Sequence, residues 1–286
     1  MKTVVITGVS TGIGWTCAKV LMKNGYHVFG SVRKASDAET LKREFGSSFT
    51  PLLFDVTNEA DVKKAAAQVR IALQGKTLSG LVNNAGIAVS GPLFHIPVKD
   101  FRNQLEINLV GPLIVTQAFG PLLGADRTLR GDPGRIINMG SVAGKIGAPF
   151  LGAYVTSKHG LEGFSESLRR ELMLYGIDVI LVGPGSVVTP IWDKAEETDT
   201  ATFVDTDFAP ALKKFRDFFI TRGKSGYPPE KVAETVLKAL TTAHPKVRYA
   251  VVAKSFVNWT LPRLLPKRIV DKKISGLLGL KRGKST

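Results

Sequence analysis

The sequence predicts an α/β protein: a doubly wound, open sheet of seven parallel strands with helices on both faces. Three observations carry this prediction. Short apolar runs alternate with longer amphipathic segments over most of the 286 residues. The segments between runs are long enough for helical crossovers, and strands joined that way pair in parallel with right-handed connections. A glycine-rich turn, Gly8-Val9-Ser10-Thr11-Gly12-Ile13-Gly14, follows the first run, and in such sheets the ligand lies at the carboxyl ends of the strands.

The elements follow in order. Val4, Val5 and Ile6 read as the first strand. Residues 12–24 read as a helix stopped by Gly25. The second strand spans 26–32, a short helix lies at about 37–45, and the third strand is 51–55. Asn58 caps a helix running to about Leu73. Leu81 and Val82 make the fourth strand. One long helical region covers 99–123, and 124–134 is a polar loop before the fifth strand at 135–139. A long helix spans 152–175, ended by Gly176, and 177–182 is the sixth strand. Residues 186–227 are less regular and rich in aromatic side chains. Pro228, Pro229 and Glu230 start a helix through Leu240, and 247–252 is the seventh strand.

Composition narrows the class. Hydrophobic residues make up 44% of the chain, enough to bury a sizeable core. The only cysteine, Cys17, falls in a predicted helix, which excludes a disulfide framework and fits a reducing, cytoplasmic setting. Four scattered histidines lack ligand spacing, so no metal is expected. Met1 leads directly into the first strand, so no signal peptide is expected, and no apolar run reaches the ~18 residues of a membrane span. The net charge is +15. Nine Lys or Arg against Asp271 alone fall after Ala253. The chain therefore divides into a main domain, 1–253, with a substrate loop at about 186–228, and a basic amphipathic extension, 254–286. No recognition motif accompanies the charge, so nucleic-acid binding is not expected.

Two motifs suggest chemistry. The glycine turn stands between a strand and a helix, where glycines let the backbone approach a pyrophosphate at the helix N-terminus. Tyr154 and Lys158 lie four apart in a predicted helix, so they share a face. At roughly 4 Å and an effective dielectric of about 20, the ammonium favours the phenolate by about 4 kcal/mol. That brings a phenol from about pH 10 to about pH 7, where general acid–base catalysis works best.

The glycine spacing, Asn83-Asn84-Ala85-Gly86 after the fourth strand, Ser141, Tyr154-x-x-x-Lys158 and Pro184-Gly185 after the sixth strand resemble the short-chain dehydrogenase/reductase family, over about residues 2–252. The segment from Gly140 to Leu168 is most similar to the steroid and retinol dehydrogenase branch. The resemblance implies a Rossmann-type sheet and a catalytic tetrad of Asn108, Ser141, Tyr154 and Lys158. In that pattern Tyr154 exchanges a proton with the substrate oxygen. Ser141 bonds that oxygen as charge develops on it. Lys158 tunes the phenol and holds the nicotinamide ribose. Asn108 holds a helix kink and a water.

The same resemblance places Gly8, Ser10, Thr11, Gly12, Ile13 and Gly14 on the cofactor. It adds Asn83, Ala85 and Gly86 beneath the adenosine side, and Asp55 with Val56 at the adenine. Asp55 has a second reading, as a strand-end cap for Thr57 and Asn58. Pro184, Gly185, Val187 and Thr189 form the loop over the nicotinamide. Strand two ends Val32-Arg33-Lys34 with no acid before Asp37, so Arg33 is expected to meet the 2′-phosphate of NADP rather than the ribose hydroxyl of NAD. Lys34 is either a second partner or solvated.

Ile146, Phe150 and Trp192, with Ser141 and Tyr154, are the expected substrate contacts, for a lipophilic alcohol, ketone or aldehyde. The phenylalanines at 208–219 either line that pocket or form the buried stripe of one helix. A homodimer through the helices carrying Asn108 and Tyr154 is implied. In the extension, Val270, Ile274, Leu277 and Leu278 share a face, so the segment either lies peripherally on an anionic membrane or packs on its own domain. The alternatives to a lipophilic-substrate oxidoreductase are a broad carbonyl reductase for small molecules and a non-catalytic NADP-binding regulatory protein.

Overall fold

Alternation along β1 (Lys2–Ile6) sets the two faces of the sheet. Val4 and Ile6 enter one core and Val5 enters the other. In this computed structural model, which describes residues 2–190 and 201–281, seven parallel strands are ordered β3-β2-β1-β4-β5-β6-β7. The others are β2 (Tyr26–Val32), β3 (Phe49–Leu53), β4 (Gly80–Asn83), β5 (Arg135–Met139), β6 (Asp178–Pro184) and β7 (Arg248–Val251). The order reverses between β1 and β4, where a doubly wound sheet opens its ligand crevice.

Helices cover both faces. On one, α1 (Gly12–Lys23) packs Cys17, Ala18 and Leu21 on the strands, beside Val232, Ala233 and Val236 of a helix described below. On the other lie Val62 and Val69 of α3 (Glu59–Ala72), while α2 (Ala35–Phe45), which follows β2 at the sheet edge, packs Leu41 on the same face as α1. Asn58 caps α3 as expected, accepting from the N–H groups of Ala60 and Asp61.

Several boundaries differ from expectation. Strand β3 is Phe49–Leu53 rather than 51–55; Pro51 lacks a donor, and it sits on the outermost strand where none is needed. The helix expected at 99–123 is continuous but mixed. It comprises α4 (Val98–Leu105), a π-helical turn Glu106–Val110, α5 (Gly111–Phe119) and a 3-10 turn Gly120–Leu123. Contrary to expectation, this run has the length and the mean hydropathy, 1.2, of a membrane span; its Val115, Phe119 and Leu123 are core residues. The long helix at 152–175 is α6 (Gly152–Glu171) plus a 3-10 turn Leu172–Tyr175.

The segment expected to be irregular contains a 16-residue helix, α7 (Ala209–Lys224), followed by α8 (Pro229–Thr241). After β7 come a π-helical turn Phe256–Thr260, a short helix Leu261–Leu264, and α9 (Lys267–Leu278), which starts after Pro266. Helix α9 splits its apolar residues. Ile274 and Leu278 join a cluster with Phe215 and Phe219 of α7, while Leu277 is 67% exposed.

Candidate active site

The glycine turn is shaped by what a side chain would hit. Gly8 (φ +71°) and Gly12 (φ +64°) adopt left-handed backbone that suits glycine. A Cβ at Gly14 would overlap the Gly8 carbonyl oxygen and lie 2.5 Å from Asn84 Nδ2. Asn84 clasps this turn, donating from Nδ2 to the carbonyls of Thr7 (2.9 Å) and Gly8 (3.0 Å). Thr7 Oγ1 accepts from the N–H groups of Asn84 and Ala85. The first turn of α1 has no side-chain cap and no acid, so its N–H groups face outward with a positive helix end. Ser10 and Thr11 are exposed there, while Ile13 packs partly into the core.

The strand ends converge on that turn. Thr189, in the loop after β6, lies 3.5 Å from where a Gly12 Cβ would stand. That loop is tied down: Gly185 N donates to Val251 O, and Val188 N to Tyr227 O. Pro184 and Val187 are buried beneath it. Ala85 abuts Gly8, and Gly86 is exposed. The Asn83 side chain points into the core instead, with Nδ2 donating to Thr116 Oγ1 (3.2 Å) and Asn138 Oδ1 (2.9 Å). Asp55 forms its strand-end cap, accepting at Oδ1 from Thr57 N and Oγ1. Its Oδ2 is 3.9 Å from Arg33, whose side chain is 72% exposed. Val56 is buried against Gly111.

Helix α6 carries Tyr154 and Lys158 along the end of β5. Ser141 follows β5 in extended backbone and caps the 3-10 turn Val142–Gly144 by accepting from Ala143 N (3.1 Å). Its hydroxyl lies beside the Tyr154 phenol, where it acts to lower that phenol's pKa. Lys158 is buried, donates from Nζ to Met139 O (2.7 Å), and lies 5.7 Å from the Tyr154 ring centre. Asn108 occupies the π-helical turn. It accepts from Ile87 N and donates to Ile87 O and to Ser157 Oγ on α6. Such turns widen a helix locally and recur at functional sites. Among the described residues no group of three or more His, Cys, Asp or Glu comes together.

The family model for short chain dehydrogenases matches residues 2–200. The chain is a member of the short-chain dehydrogenase/reductase family. An NADPH-dependent 3-dehydrocapnine reductase from Ornithobacterium rhinotracheale is 38% identical over 272 residues, covering 95% of each chain. Human retinol dehydrogenase 5 is 34% identical over 287 residues, covering 96% of this chain and 88% of its own. The fold is shared with a short-chain dehydrogenase from Streptomyces avermitilis at a TM-score of 0.75, with 23% identity over 100% of this chain and 98% of that one. The protein is thus an oxidoreductase of this family, with relatives in the retinol dehydrogenase branch.

In this dehydrogenase the phenol does not shift as spacing suggested. Burial pushes Tyr154 upward, with only the neighbouring Ser141 hydroxyl acting downward. Burial also brings Lys158 down to about 8. Both shifts have one cause, loss of water, which disfavours the phenolate and the ammonium alike. The spacing of four gives proximity but says nothing of the desolvation that opposes it. A neutral phenol is the proton-donating form.

On the substrate side, Phe150 (φ +62°) holds left-handed backbone that a bulky residue rarely adopts. Gly91 N and Ser90 Oγ both bond its carbonyl. Its ring meets Phe208 and Phe215, and this cluster reaches Tyr154. Phe215 and Phe219 of α7 are therefore both a buried helix stripe and part of the wall beside Tyr154. Ile146 is half-buried nearby in sequence; Trp192 lies outside the described residues. Sequence reasoning missed Ser157, Glu162 and Arg248. Glu162 and Arg248 pair across 86 residues, and no local pattern signals such a contact.

Proposed function

We propose that this enzyme interconverts an alcohol and a carbonyl on a lipophilic substrate with NADP(H), using Tyr154 as general acid–base. The observation that carries the reading is buried Lys158 beside the Tyr154 ring on one helix face, with the Ser141 hydroxyl acting on the same phenol. The glycine cradle fits a dinucleotide: Gly8, Gly12 and Gly14 leave backbone bare before an uncapped helix end. When bound, the nicotinamide supplies or accepts the hydride. Ser141 holds the substrate oxygen, Tyr154 gives or takes its proton, and Lys158 holds the ribose and favours the phenolate as the proton leaves. Asn108 steadies α6 through Ser157 and is placed to hold a water. Phe150, Phe208 and Phe215 support an apolar substrate. Turnover of NADPH with a panel running from all-trans-retinal and androstenedione to phenanthrenequinone tests this reading. Activity on none of them removes it.

Arg33 supports NADP, as does the NADPH dependence named for the Ornithobacterium relative. An exposed ion pair with Asp55 is worth at most about 1 kcal/mol, so Arg33 can leave it for a phosphate. Arg33→Ala should weaken NADPH binding about tenfold or more, with NADH little changed. Fluorescence titration checks both, and tighter NADH binding by the wild type refutes the assignment.

Exposed Leu113 on α5, with Met173 and Leu174 in the 3-10 turn that ends α6, supports a homodimer through these elements. A peripheral membrane contact is favoured by exposed Phe256, Val257, Leu264 and Ile269 among the cations of the extension. Arg268, Ile269, Lys272 and Lys273 line a shallow depression on its outer face. The triple variant Ile269→Glu, Lys272→Glu, Lys273→Glu should lose sedimentation with phosphatidylserine vesicles. Equal binding by variant and wild type removes the membrane reading.

A further inference from the structure

Arg248 begins β7, far from Tyr154 in sequence, yet its guanidinium ties four elements together at the catalytic turn. Its Nε donates to Glu162 Oε1 on α6 at 2.8 Å, and its Nη2 donates to the carbonyl of Ser141 at 3.1 Å. Glu162 in turn meets Lys145, in the loop that follows the Val142–Gly144 turn, at 3.3 Å. The pair is well shielded, with side chains only 16% and 10% exposed. The outer partner comes from the extension. Trp259 stacks on Arg248 with its ring centre 4.1 Å from Cζ, and on Arg263 at 4.5 Å.

The room for this junction is built into the backbone. A Cβ at Gly183 on β6 would stand 2.5 Å from Arg248 Nη2, and one at Gly144 would press on Glu162 at 3.0 Å. Two glycines therefore admit the guanidinium and its carboxylate. Trp259 itself lies in the π-helical turn Phe256–Thr260, and the other such turn among the described residues carries Asn108.

A serine that stabilises a developing oxyanion must present its hydroxyl within a fraction of an ångström. Within its own turn, Ser141 is fixed by Ala143 N on Oγ and by Gly144 N on its carbonyl, both 3.1 Å. These bonds are local and move with the turn. The Arg248 bond anchors the same carbonyl to the far edge of the sheet and to the helix bearing Tyr154. It is charge-assisted, and the guanidinium is planar and forked, so it fixes direction as well as distance.

We propose that Arg248 is a positioning residue for the Ser141 hydroxyl, and that Trp259 locks it there, making the extension part of the catalytic assembly. This rests on the reading of Ser141 as the oxyanion partner. An extension that merely packs on the surface has no need to reach the serine's backbone. Here one indole and one guanidinium connect them.

The test is a double-mutant cycle in the full-length enzyme, with NADPH and the best carbonyl of the panel named above. Arg248→Met should lower kcat tenfold to a hundredfold, with NADPH affinity and KM within about twofold. In a Ser141→Ala background the same substitution should cost little more, because the group it positions is gone. Trp259→Ala should reproduce part of the loss, and Trp259→Phe, which keeps a ring over the guanidinium, should recover most of it. Gly183→Ala, which displaces the guanidinium without altering it, should act like Arg248→Met. Thermal melts accompany each variant; if Arg248→Met does not fold, Gly183→Ala and the Trp259 pair decide the matter. Equal losses in the presence and absence of Ser141, or an unchanged kcat, overturn the proposal. A Ser141→Ala enzyme with wild-type kcat overturns instead the reading of Ser141 on which it rests.

Discussion

Tyr154→Phe lowers kcat by a factor of about 10³ and leaves NADPH affinity unchanged. Phenylalanine keeps the ring, and the ring is what packs beside Val155 and Phe150. Only the hydroxyl goes, and with it the proton that the substrate oxygen needs; positioned general acids contribute about 10²–10⁴. Folding is little affected. Ser141 retains Ala143 N as donor and the Pro184 carbonyl as a long acceptor at 3.5 Å, so the stability cost is about 1 kcal/mol or less. Steady-state rates with NADPH and the best carbonyl of the panel, beside a fluorescence titration of NADPH alone, separate chemistry from binding. Turnover within tenfold of wild type would sink the role given to the phenol.

Gly14→Ala damages the cofactor site and the fold together. Its methyl would overlap the Gly8 carbonyl oxygen and stand against Asn84 Nδ2, the group that clasps the turn. Backbone cannot swing away as a side-chain tip can, so β1, α1 and the Asn84 loop must separate. Overpacking of this kind costs about 1–3 kcal/mol or more. NADPH affinity falls at least about tenfold, because the turn that exposes the α1 N–H groups is displaced. Denaturant melts and NADPH titration of the same sample read both effects. Wild-type stability together with wild-type affinity would contradict the close approach seen here. Gly25, with open space around it, is the natural comparison, although its φ of +80° makes alanine strained there too.

The motifs that were legible in the sequence are those whose geometry is local. The glycine turn needs a few residues in a row. Tyr154 and Lys158 need one turn of helix. Parallel pairing of seven strands followed from the spacing of apolar runs, since parallel strands demand crossovers. What stayed hidden depends on distant residues or on solvent. The apolar residues alone made 99–123 read as one helical region; a kink at Asn108 came only from the family resemblance, and its π-helical form was not legible. The helix Ala209–Lys224 was obscured by aromatic residues spread over more than one face: Phe215 is buried and Phe218 is half-exposed. Burial of Tyr154 and Lys158 comes from β5, α6 and the aromatic wall together, so their shifts followed surroundings rather than spacing. Arg248 carried no signal in the sequence, because only the folded sheet brings it to Ser141.

The buried amides of Asn83 and Asn138 bear on how the sheet assembles. They face each other directly across β4 and β5, and Asn138 Nδ2 continues to Ser165 on α6. A slip of one residue between those strands would turn every side chain to the opposite face and strand both amides among apolar neighbours. The apolar residues around them are interchangeable enough to tolerate such a slip; the amides are not. These two strands also deliver the Asn84–Gly86 loop and Ser141 to the same end of the sheet. The asparagine pair is thus a check on alignment: a chain that mispairs its central strands loses these buried bonds and brings its catalytic loops together in the wrong frame.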